Sequence, residues 1–446
     1  MTQLEHYLAQ LQRFGIQPGL ERIQALLERA DNPQGNYPVI LVGGTNGKGS
    51  TCEFLARTLA RDGLKTGLYT SPHLYSWNER IRVLDRAVTT DKLGQSAPHP
   101  LFPGTISDNE VDALFRDAQE HLQQVAANEA LGQPTEFETL TFLALLHFAR
   151  AEVDAAVVEV GLGGRWDATN STQPTVSVIT HVALDHCDRL GSTLEEIARD
   201  KVEIVRPGRV LVTAETKPPV LEVLQQKCTR IGARLWSFRA LEWSNERTSL
   251  ERIVASLPID DSQHNPEPTF QEINRATATV ARAALAFEQP ESCLTRSPDN
   301  IEYSVPGRFE MLRRNPTVII DGANNPDGAS HLAAQLPQIA QSCGGRILLV
   351  LGILADKDHR AMIATLAPLA HTVIATQSES PRAAAAADIA REAAHFCEHV
   401  EVVTPVSVAC QHALALAEQN DVICVTGSFY TVAEVERDAL LQDTQD

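Results

Sequence analysis

The residues best able to do chemistry lie where short apolar runs end. Val39 to Val42 is one such run. It leads into Gly43-Gly44-Thr45-Asn46-Gly47-Lys48-Gly49-Ser50, and then into a segment with Phe54, Leu55, Thr58 and Leu59 at helical spacing. Strand, glycine loop and helix in that order can cradle phosphates. Glycines let successive N–H groups turn inward, the helix N-terminus adds partial positive charge, and Lys48 adds a full one. The spacing departs from the commonest phosphate-loop form. Val42 stands where a glycine is usual, and Gly49 where Ser or Thr follows the lysine. The reading is a nucleoside triphosphate site; its competitor is a glycine-rich turn that holds no ligand.

Three further run ends carry polar groups: Ser71 after Lys65 to Thr70, Glu159 inside Ala155 to Val160, and His186 after Val176 to Val182. In open parallel sheets, ligands bind at the carboxyl ends of strands. A carboxylate inside an apolar run is costly to bury without a partner, and a cation provides one. A hydroxyl, a carboxylate and an imidazole beside phosphates suit Mg²⁺. His186 alone reads equally well as a capped or core histidine. Lys201, with Ile197 and Val205 four residues either side, reads by itself as a surface lysine. Arg165 is either a structural bridge or a contact to an anionic substrate.

The elements that must position these groups alternate strand and helix, which implies a mostly parallel sheet covered by helices. Helical patterns fall over residues 4–30, broken at Pro18-Gly19, and over 110–127, through Leu140, Leu143 and Phe148, over 193–206 with a Thr193/Glu196 capping box, over 220–231 and over 271–288. Residues 94–110, 242–268 and 291–300 are polar or rich in Pro and Gly and read as loop or linker. A second alternating series starts at Thr317, with apolar runs at 318–320, 347–351, 372–375, 400–403 and 422–425. The chain of 446 residues exceeds what one core usually supports. The expected division is a first domain over 1–295, a linker over 296–305 and a smaller Rossmann-like α/β domain over 306–446.

Composition is that of a globular protein, with 43% hydrophobic and 21% charged residues. A formal charge of -19 argues against a nucleic-acid or anionic-membrane surface, so neither is expected as a partner. No leader or membrane span is evident, and eight cysteines show no metal-ligand spacing. A cytoplasmic monomer with reduced thiols is the expectation.

Taken together, the motifs resemble the folylpolyglutamate synthase/dihydrofolate synthase family, a branch of the Mur ligases. The likeness spans nearly the whole chain. It includes Gly19-Leu20-Glu21-Arg22-Ile23, GGTNGKGS ending at Ser50, TSPHL at 70–74, ERIRV at 79–83, TEFETLT at 135–141 and VVEVGLGGRWDATN at 157–170. It continues through ALDH at 183–186, RDK ending at Lys201, QEIN ending at Asn274, PGRFE at 306–310, DGANNP at 321–326, DKD at 356–358 and TGSF at 426–429. GTNGKGS alone indicates only a Mur ligase; TSPHL with EVGLGGRWDATN indicates the folate branch.

The resemblance implies a P-loop-containing Mur-ligase-type ATPase domain followed by the smaller Rossmann-like domain. It implies a ligase in which ATP phosphorylates a carboxylate and the amine of L-glutamate attacks the acyl phosphate. The acceptor is dihydropteroate, a reduced folate such as tetrahydrofolate, or both. Lys48 with Thr45, Asn46, Gly47, Gly49 and Ser50 matches the triphosphate loop, and Ser71, Glu159 and His186 match Mg²⁺ ligands. Lys201 matches a carbamylated lysine, a reading opposed to the surface one. Lys48, Lys201 and His186 are thus the catalytic candidates. Asn274, Arg308, Asp321 and Asn324 match nucleotide contacts; Phe137, Trp166, Asp167 and Ala168 match positions near the pterin. Ser428 matches a residue that seats the amino acid. The chain departs from the family where Asp-x-Ala-His-Asn-Pro has Asn324 for His, and asparagine keeps a hydrogen bond but no charge. The glycine often found before the Gln271 segment is absent, and Lys-Val-Glu replaces Lys-Ala-Gly at Lys201. The rival readings are a Mur-type ligase for another carboxylate and a nucleotide-binding homologue without turnover.

Overall fold

The computed structural model describes residues 2–11, 17–87, 101–244, 268–290 and 303–441. Most of the polar stretch 242–268, all of 291–300 and part of 94–110 lie outside the described residues. The chain divides into two compact units, residues 1–301 and 302–446.

Among the described residues, the first unit is built on seven strands: β1 Val39–Gly43, β2 Thr66–Tyr69, β3 Ile81–Leu84, β4 Ala155–Glu159, β5 Val176–Ile179, β6 Val210–Thr213 and β7 Arg234–Ser237. Their order is β3-β2-β4-β1-β5-β6-β7, parallel except for the β2–β3 pair. Helices cover the sheet, so the parallel strands are near-continuous apolar runs without alternation. They include α1 Gln3–Leu11, α2 Glu21–Arg29, α3 Lys48–Asp62, α4 Asp108–Ala126, α5 Glu136–Arg150, α6 Leu194–Lys201, α7 Pro218–Ile231 and α8 Phe270–Glu288. Chain connections leave β1 and β5 in opposite directions, the arrangement that opens a crevice at strand ends. Register sets the crevice level: Val42 lies opposite Glu159 and Gly43 opposite Ile179.

Several helix starts are fixed by reciprocal caps. The Thr193/Glu196 box forms at α6, and the same device starts α4, α5 and α8. The expected helix to residue 206 ends earlier, at Lys201, and passes into a tight turn over Val202–Ile204. Arg22 and Glu138 are both buried and meet at 3.0 Å, tying α2 to the start of α5. Strand β3 escapes a reading by apolar runs because it carries Arg82. That guanidinium is fully buried and donates to Glu53 of α3 at 2.6 Å, while Arg57 donates to the same carboxylate at 2.7 Å.

The second unit has six strands: β8 Glu310–Arg314, β9 Thr317–Asp321, β10 Ile347–Leu351, β11 Thr372–Ala375, β12 Val400–Val402 and β13 Val422–Thr426. Their order is β12-β11-β10-β13-β9-β8, with only β8 antiparallel. β7 and β8 were not expected as strands: they are edge strands of four and five residues, and their polar side chains break the apolar pattern. Helices α9 Pro326–Cys343, α10 His359–Leu366, α11 Ala386–Ala393 and α12 Val406–Leu416 alternate with the strands. Leu332, Leu349, Met362, Ile363 and Val373 centre its own core. No described helix is long and apolar enough to cross a membrane, and none of the seven described cysteines is in a disulfide.

Candidate functional site

The phosphate loop leaves β1 and enters α3 at Lys48. A frame from the segment after β5 holds it. Thr45 N–H donates to His181 O at 2.6 Å, and the Thr45 hydroxyl both donates to Ala183 O and accepts from Ala183 N–H. Thr180 Oγ1 donates to Asn46 O at 2.7 Å and to Gly43 O at 3.2 Å. Gly44 has φ +138° and a Cβ there would lie 2.0 Å from Thr180 Oγ1, so only glycine fits the frame. Gly49 and Ser50 are buried in the first turn of α3.

Two ammonium groups converge on one carbonyl. Lys48 Nζ donates to Gly44 O at 3.1 Å and to Thr45 O at 3.0 Å, and Lys201 Nζ donates to Gly44 O at 3.0 Å. Lys201 is 4% exposed, so its reading as a surface lysine is wrong. The fault lies in the helix face: α6 turns Lys201 inward, onto the loop that follows β4. A Cβ at Gly164 would lie 2.7 Å from Lys201 O, so the Gly163-Gly164 pair is what lets α6 come this close. Burial and the neighbouring Lys48 pull the Lys201 ammonium down to about 7, against the attraction of Asp200, Asp185 and Asp167.

A cavity of about 40 Å³ lies against these groups, lined in part by Gly44, Lys48, Gly161, Asp185, His186 and Lys201. His186 holds a left-handed conformation (φ 50°) that begins a short helical turn, and its N–H donates to Asp185 Oδ1 at 2.9 Å. Glu159, 2% exposed, accepts from Ser71 N–H at 2.9 Å, so β2 and β4 bring those two residues together. The residues after Glu159 line the same cavity as His186. Ser71 and Glu159 thus meet at the ends of the neighbouring strands β2 and β4, whereas His186 follows β5, on the far side of β1. A buried carboxylate and a hydroxyl are donor types that suit a hard divalent cation.

The expected acceptor residues follow β4 or start α5. Phe137 lies 6.0 Å from the Tyr69 ring, and its edge would press on a Cβ at Gly161. Trp166 is 53% exposed, an unusual state for so large an apolar ring. Asp167 is buried and occupied by its own loop, accepting from Leu162 N–H at 2.8 Å and Thr169 N–H at 3.0 Å. Burial raises its pKa. Ala168 is buried at the start of the following turn. Arg165 is partly exposed and lies 3.8 Å from Glu203.

Motif residues without an expected role form a second polar layer after β2. Arg80 Nε donates to His73 Nδ1 at 3.1 Å, and its guanidinium lies over the Trp77 ring at 4.2 Å. Burial and Arg80 drive the imidazolium of His73 down to about 3, so this histidine stays neutral. Glu79 accepts the N–H groups of Leu74, Tyr75 and Ser76, which shapes the TSPHL turn. Sequence pattern marked these residues without indicating this contact.

Within the second unit, Arg308, Asp321 and Phe429 gather at the ends of β9 and β13. Asp321 accepts from Phe309 N–H at 2.7 Å and Ala323 N–H at 2.8 Å, and burial raises its pKa. The Arg308 guanidinium stacks on Phe429 at 4.6 Å. Ser428 is buried as the cap of the next turn, accepting from Thr431 N–H at 3.0 Å. Asn324 is partly buried, beside Asn325, whose side chain caps α9. Asn274, in the first unit, presses on Gly47 of the phosphate loop.

Residues 113–249 match the Mur ligase middle domain, and residues 307–429 match the Mur ligase, glutamate ligase domain. With the phosphate-loop sheet and the second Rossmann-like sheet, this defines an ATP-dependent ligase of the Mur type. The chain is 31% identical to the dihydrofolate synthase/folylpolyglutamate synthase of Bacillus subtilis, over 95% of this chain and 96% of that one. The structure of Mycobacterium tuberculosis folylpolyglutamate synthase complexed with ADP superimposes with a TM-score of 0.78 at 28% identity, covering 99% of this chain and 98% of that one. A bifunctional folylpolyglutamate synthase/dihydrofolate synthase with Mn, AMPPNP and L-glutamate bound gives 0.74 at 29% identity, covering 98% of each chain. The chain belongs to the dihydrofolate synthase/folylpolyglutamate synthase family.

Proposed function

We propose that this protein joins L-glutamate to dihydropteroate and to reduced folates such as tetrahydrofolate, at the expense of ATP, as a cytoplasmic monomer. The observation that carries the reading is the convergence of Lys48 and Lys201 on Gly44 O beside the cavity of His186 and Asp185. In this reading the domain holding the phosphate loop activates the acceptor carboxylate, and the glutamate ligase domain supplies the amine. Lys48 leaves the Gly44 and Thr45 carbonyls for the triphosphate, with loop N–H groups from Thr45 to Ser50 around it. Asn274, Arg308, Asp321 and Asn324 contact the nucleoside or its phosphates. Phe137, Trp166, Asp167 and Ala168 hold the pterin end, and Ser428 seats glutamate.

Ser71, Glu159 and His186 would hold Mg²⁺, which offsets repulsion between two anions when bound. Lys201, whose pKa near 7 leaves much of the amine neutral, is suited to carbamylation. Its nitrogen lone pair bonds to the carbon of CO₂, one proton departs to solvent, and an ammonium site becomes a carboxylate. The acceptor carboxylate then attacks the γ-phosphorus, ADP leaves, and the glutamate amine displaces phosphate from the acyl carbon. Dry surroundings at the buried loop protect that acyl phosphate from hydrolysis.

The test is glutamate-dependent ADP formation with dihydropteroate and tetrahydrofolate supplied separately, and mass spectrometry of the products. One glutamyl gain on dihydropteroate and successive gains on tetrahydrofolate are expected. ADP release with neither acceptor would defeat the reading in favour of another carboxylate. Recovery of turnover only in Asn324→His would identify a ligase that has lost activity.

A further inference from the structure

The loop that carries the expected acceptor residues, 161–172, is held by the segment that follows Lys201. After Lys201 the chain runs through the tight turn Val202–Ile204 to Arg206, which is partly buried. The Arg206 guanidinium faces the far end of the loop. Its Nη2 donates to Asn170 O at 2.7 Å, to Asn170 Oδ1 at 2.8 Å and to Thr172 O at 2.8 Å. Its Nε donates to Gln173 Oε1 at 3.1 Å, and Nη1 reaches back to Glu203 O at 3.2 Å, which fixes the side chain on its own turn. A planar fork of donors holds several oxygens at once, which the compact ammonium of a lysine does not.

Asn170 carries this hold inward. It is buried, with Oδ1 turned to Arg206 and Nδ2 donating to Arg165 O at 3.1 Å, while its N–H donates to Asp167 O at 2.9 Å. Thr172 Oγ1 donates to Thr169 O at 2.8 Å. The carbonyls of Arg165, Asp167 and Thr169 are thus set by two residues that Arg206 fixes, and Trp166, Asp167 and Ala168 lie among them. Trp166 is half exposed, so the loop backbone decides where its ring stands. The near end of the loop meets the same segment, because Gly164 packs on Lys201 O. Lys201 Nζ in turn donates to Gly44 O of the phosphate loop. One short stretch of chain therefore grips both loops.

Transfer between a γ-phosphate and an acceptor carboxylate depends on the spacing of the loops that hold them, and a misplacement of about 1 Å costs on the order of 100-fold in rate. We propose that Arg206 is a positioning residue for the acceptor. Through Asn170 and Thr172 it sets the loop of Trp166, Asp167 and Ala168 at a fixed distance from Lys201 and the phosphate loop. The assignment rests on the acceptor reading of that loop given above. A purely structural arginine would lower stability and disturb every substrate alike. Positioning touches the acceptor alone, because the phosphate loop has its own frame in Thr180 to Ala183.

The test uses the full chain with Arg206→Lys and Asn170→Asp, turnover with dihydropteroate, tetrahydrofolate, ATP and glutamate varied in turn, and hydrogen exchange read by mass spectrometry. Each variant should raise the KM for the acceptor about five- to tenfold, the loss of one hydrogen bond from a polar or charged group. The KM values for ATP and glutamate should not move. Asn170→Asp keeps an oxygen facing Arg206 and loses only the donor to Arg165 O, so it should melt with the wild type and still show the acceptor effect. Amides of residues 161–172 should exchange faster in both variants, and those of 44–50 should not. Unchanged acceptor KM in folded Arg206→Lys would overturn the proposal, as would an equal rise in the KM for ATP. Wild-type protein whose residues 161–172 gain no protection from either acceptor would overturn the acceptor reading, and this assignment with it. Should Arg206→Lys fail to fold, Asn170→Asp alone decides the matter.

Discussion

Two buried ionic regions of the first unit differ in one respect that separates fold from function. Around Glu53, one buried carboxylate meets two opposite charges: burial would raise the carboxyl, and the Arg82 and Arg57 guanidiniums hold it down at about 2. Around Gly44, two ammonium groups share one carbonyl, and one of them is driven down to about 7. The first arrangement pairs opposite charges without a ligand and ties α3 to β3. The second sets two like charges side by side on the phosphate loop, where an arriving anion would offset their repulsion. Perturbed ionisation alone does not distinguish them; the sign of the nearest partner does.

The largest effect should come from breaking the Glu53 cluster. Arg82→Met leaves Glu53 buried with half its compensation, and breaking such a pair costs about 3–5 kcal/mol. Chemical denaturation should report that loss near neutral pH. Glu53 has a folded pKa below its unfolded one, so its contribution is present above about pH 4.3 and is lost as pH falls toward 2. With Arg82 gone the folded pKa of Glu53 moves back toward the unfolded one, so the fall in stability between about pH 4.3 and 2 should be shallower in the variant than in the wild type. A stability change under about 1 kcal/mol would show that the cluster is less coupled than its geometry indicates.

The Lys48 and Lys201 cluster should respond in turnover. Lys48→Ala removes the full charge from the loop and should lower kcat by about 100- to 1000-fold, the scale of one preorganised electrostatic donor. Its folding stability should hold, because one like-charge neighbour of Lys201 is removed. Equal loss of stability and rate would make Lys48 structural.

Lys201→Met sharpens the contrast further. Burying an ammonium beside another is unfavourable, so the variant should gain about 1–3 kcal/mol of stability at pH 7 while losing activity. The sign follows from linkage. The folded pKa is depressed, the unfolded chain binds more protons between about pH 7 and 10.4, and wild-type stability rises with pH across that window. In Lys201→Met that rise should flatten. Carbamylation needs the neutral amine, so wild-type turnover at limiting CO₂ should fall as pH drops through about 7.

Much of this was legible beforehand, for identifiable reasons. Apolar runs ending in Lys48, Ser71, Glu159 and His186 announced a parallel sheet with its polar groups at one edge, because burial on both faces leaves only strand ends for chemistry. Lys201 was not legible from its neighbours, since a lysine with Ile197 and Val205 at helical spacing looks the same on either face of α6. The information lay well upstream, in Gly163 and Gly164, the glycines that let α6 approach. β3 and β8 hid for a related reason: their charged residues are paired across the fold, as Arg82 is with Glu53 and Glu310 with Arg437 at 2.6 Å. The role of Thr180 to Ala183 as the frame of the phosphate loop left no local signal at all.

That frame gives the smallest and most selective prediction. Thr180 is buried, and its hydroxyl reaches two loop carbonyls, Asn46 O at 2.7 Å and Gly43 O at 3.2 Å. Thr180→Val keeps the shape and removes only the donor, so stability should fall by about 1 kcal/mol. Neither the Glu53 cluster nor the Lys201 ionisation should change, because neither touches this hydroxyl. The loop, however, loses the contact that fixes Asn46 relative to Gly43, and a nucleotide must then order it on binding. ADP affinity should weaken a few-fold, with a larger unfavourable entropy in calorimetry. A weakened affinity with unchanged entropy would mean that Thr180 acts on the ligand directly, and the frame would then be part of the binding surface.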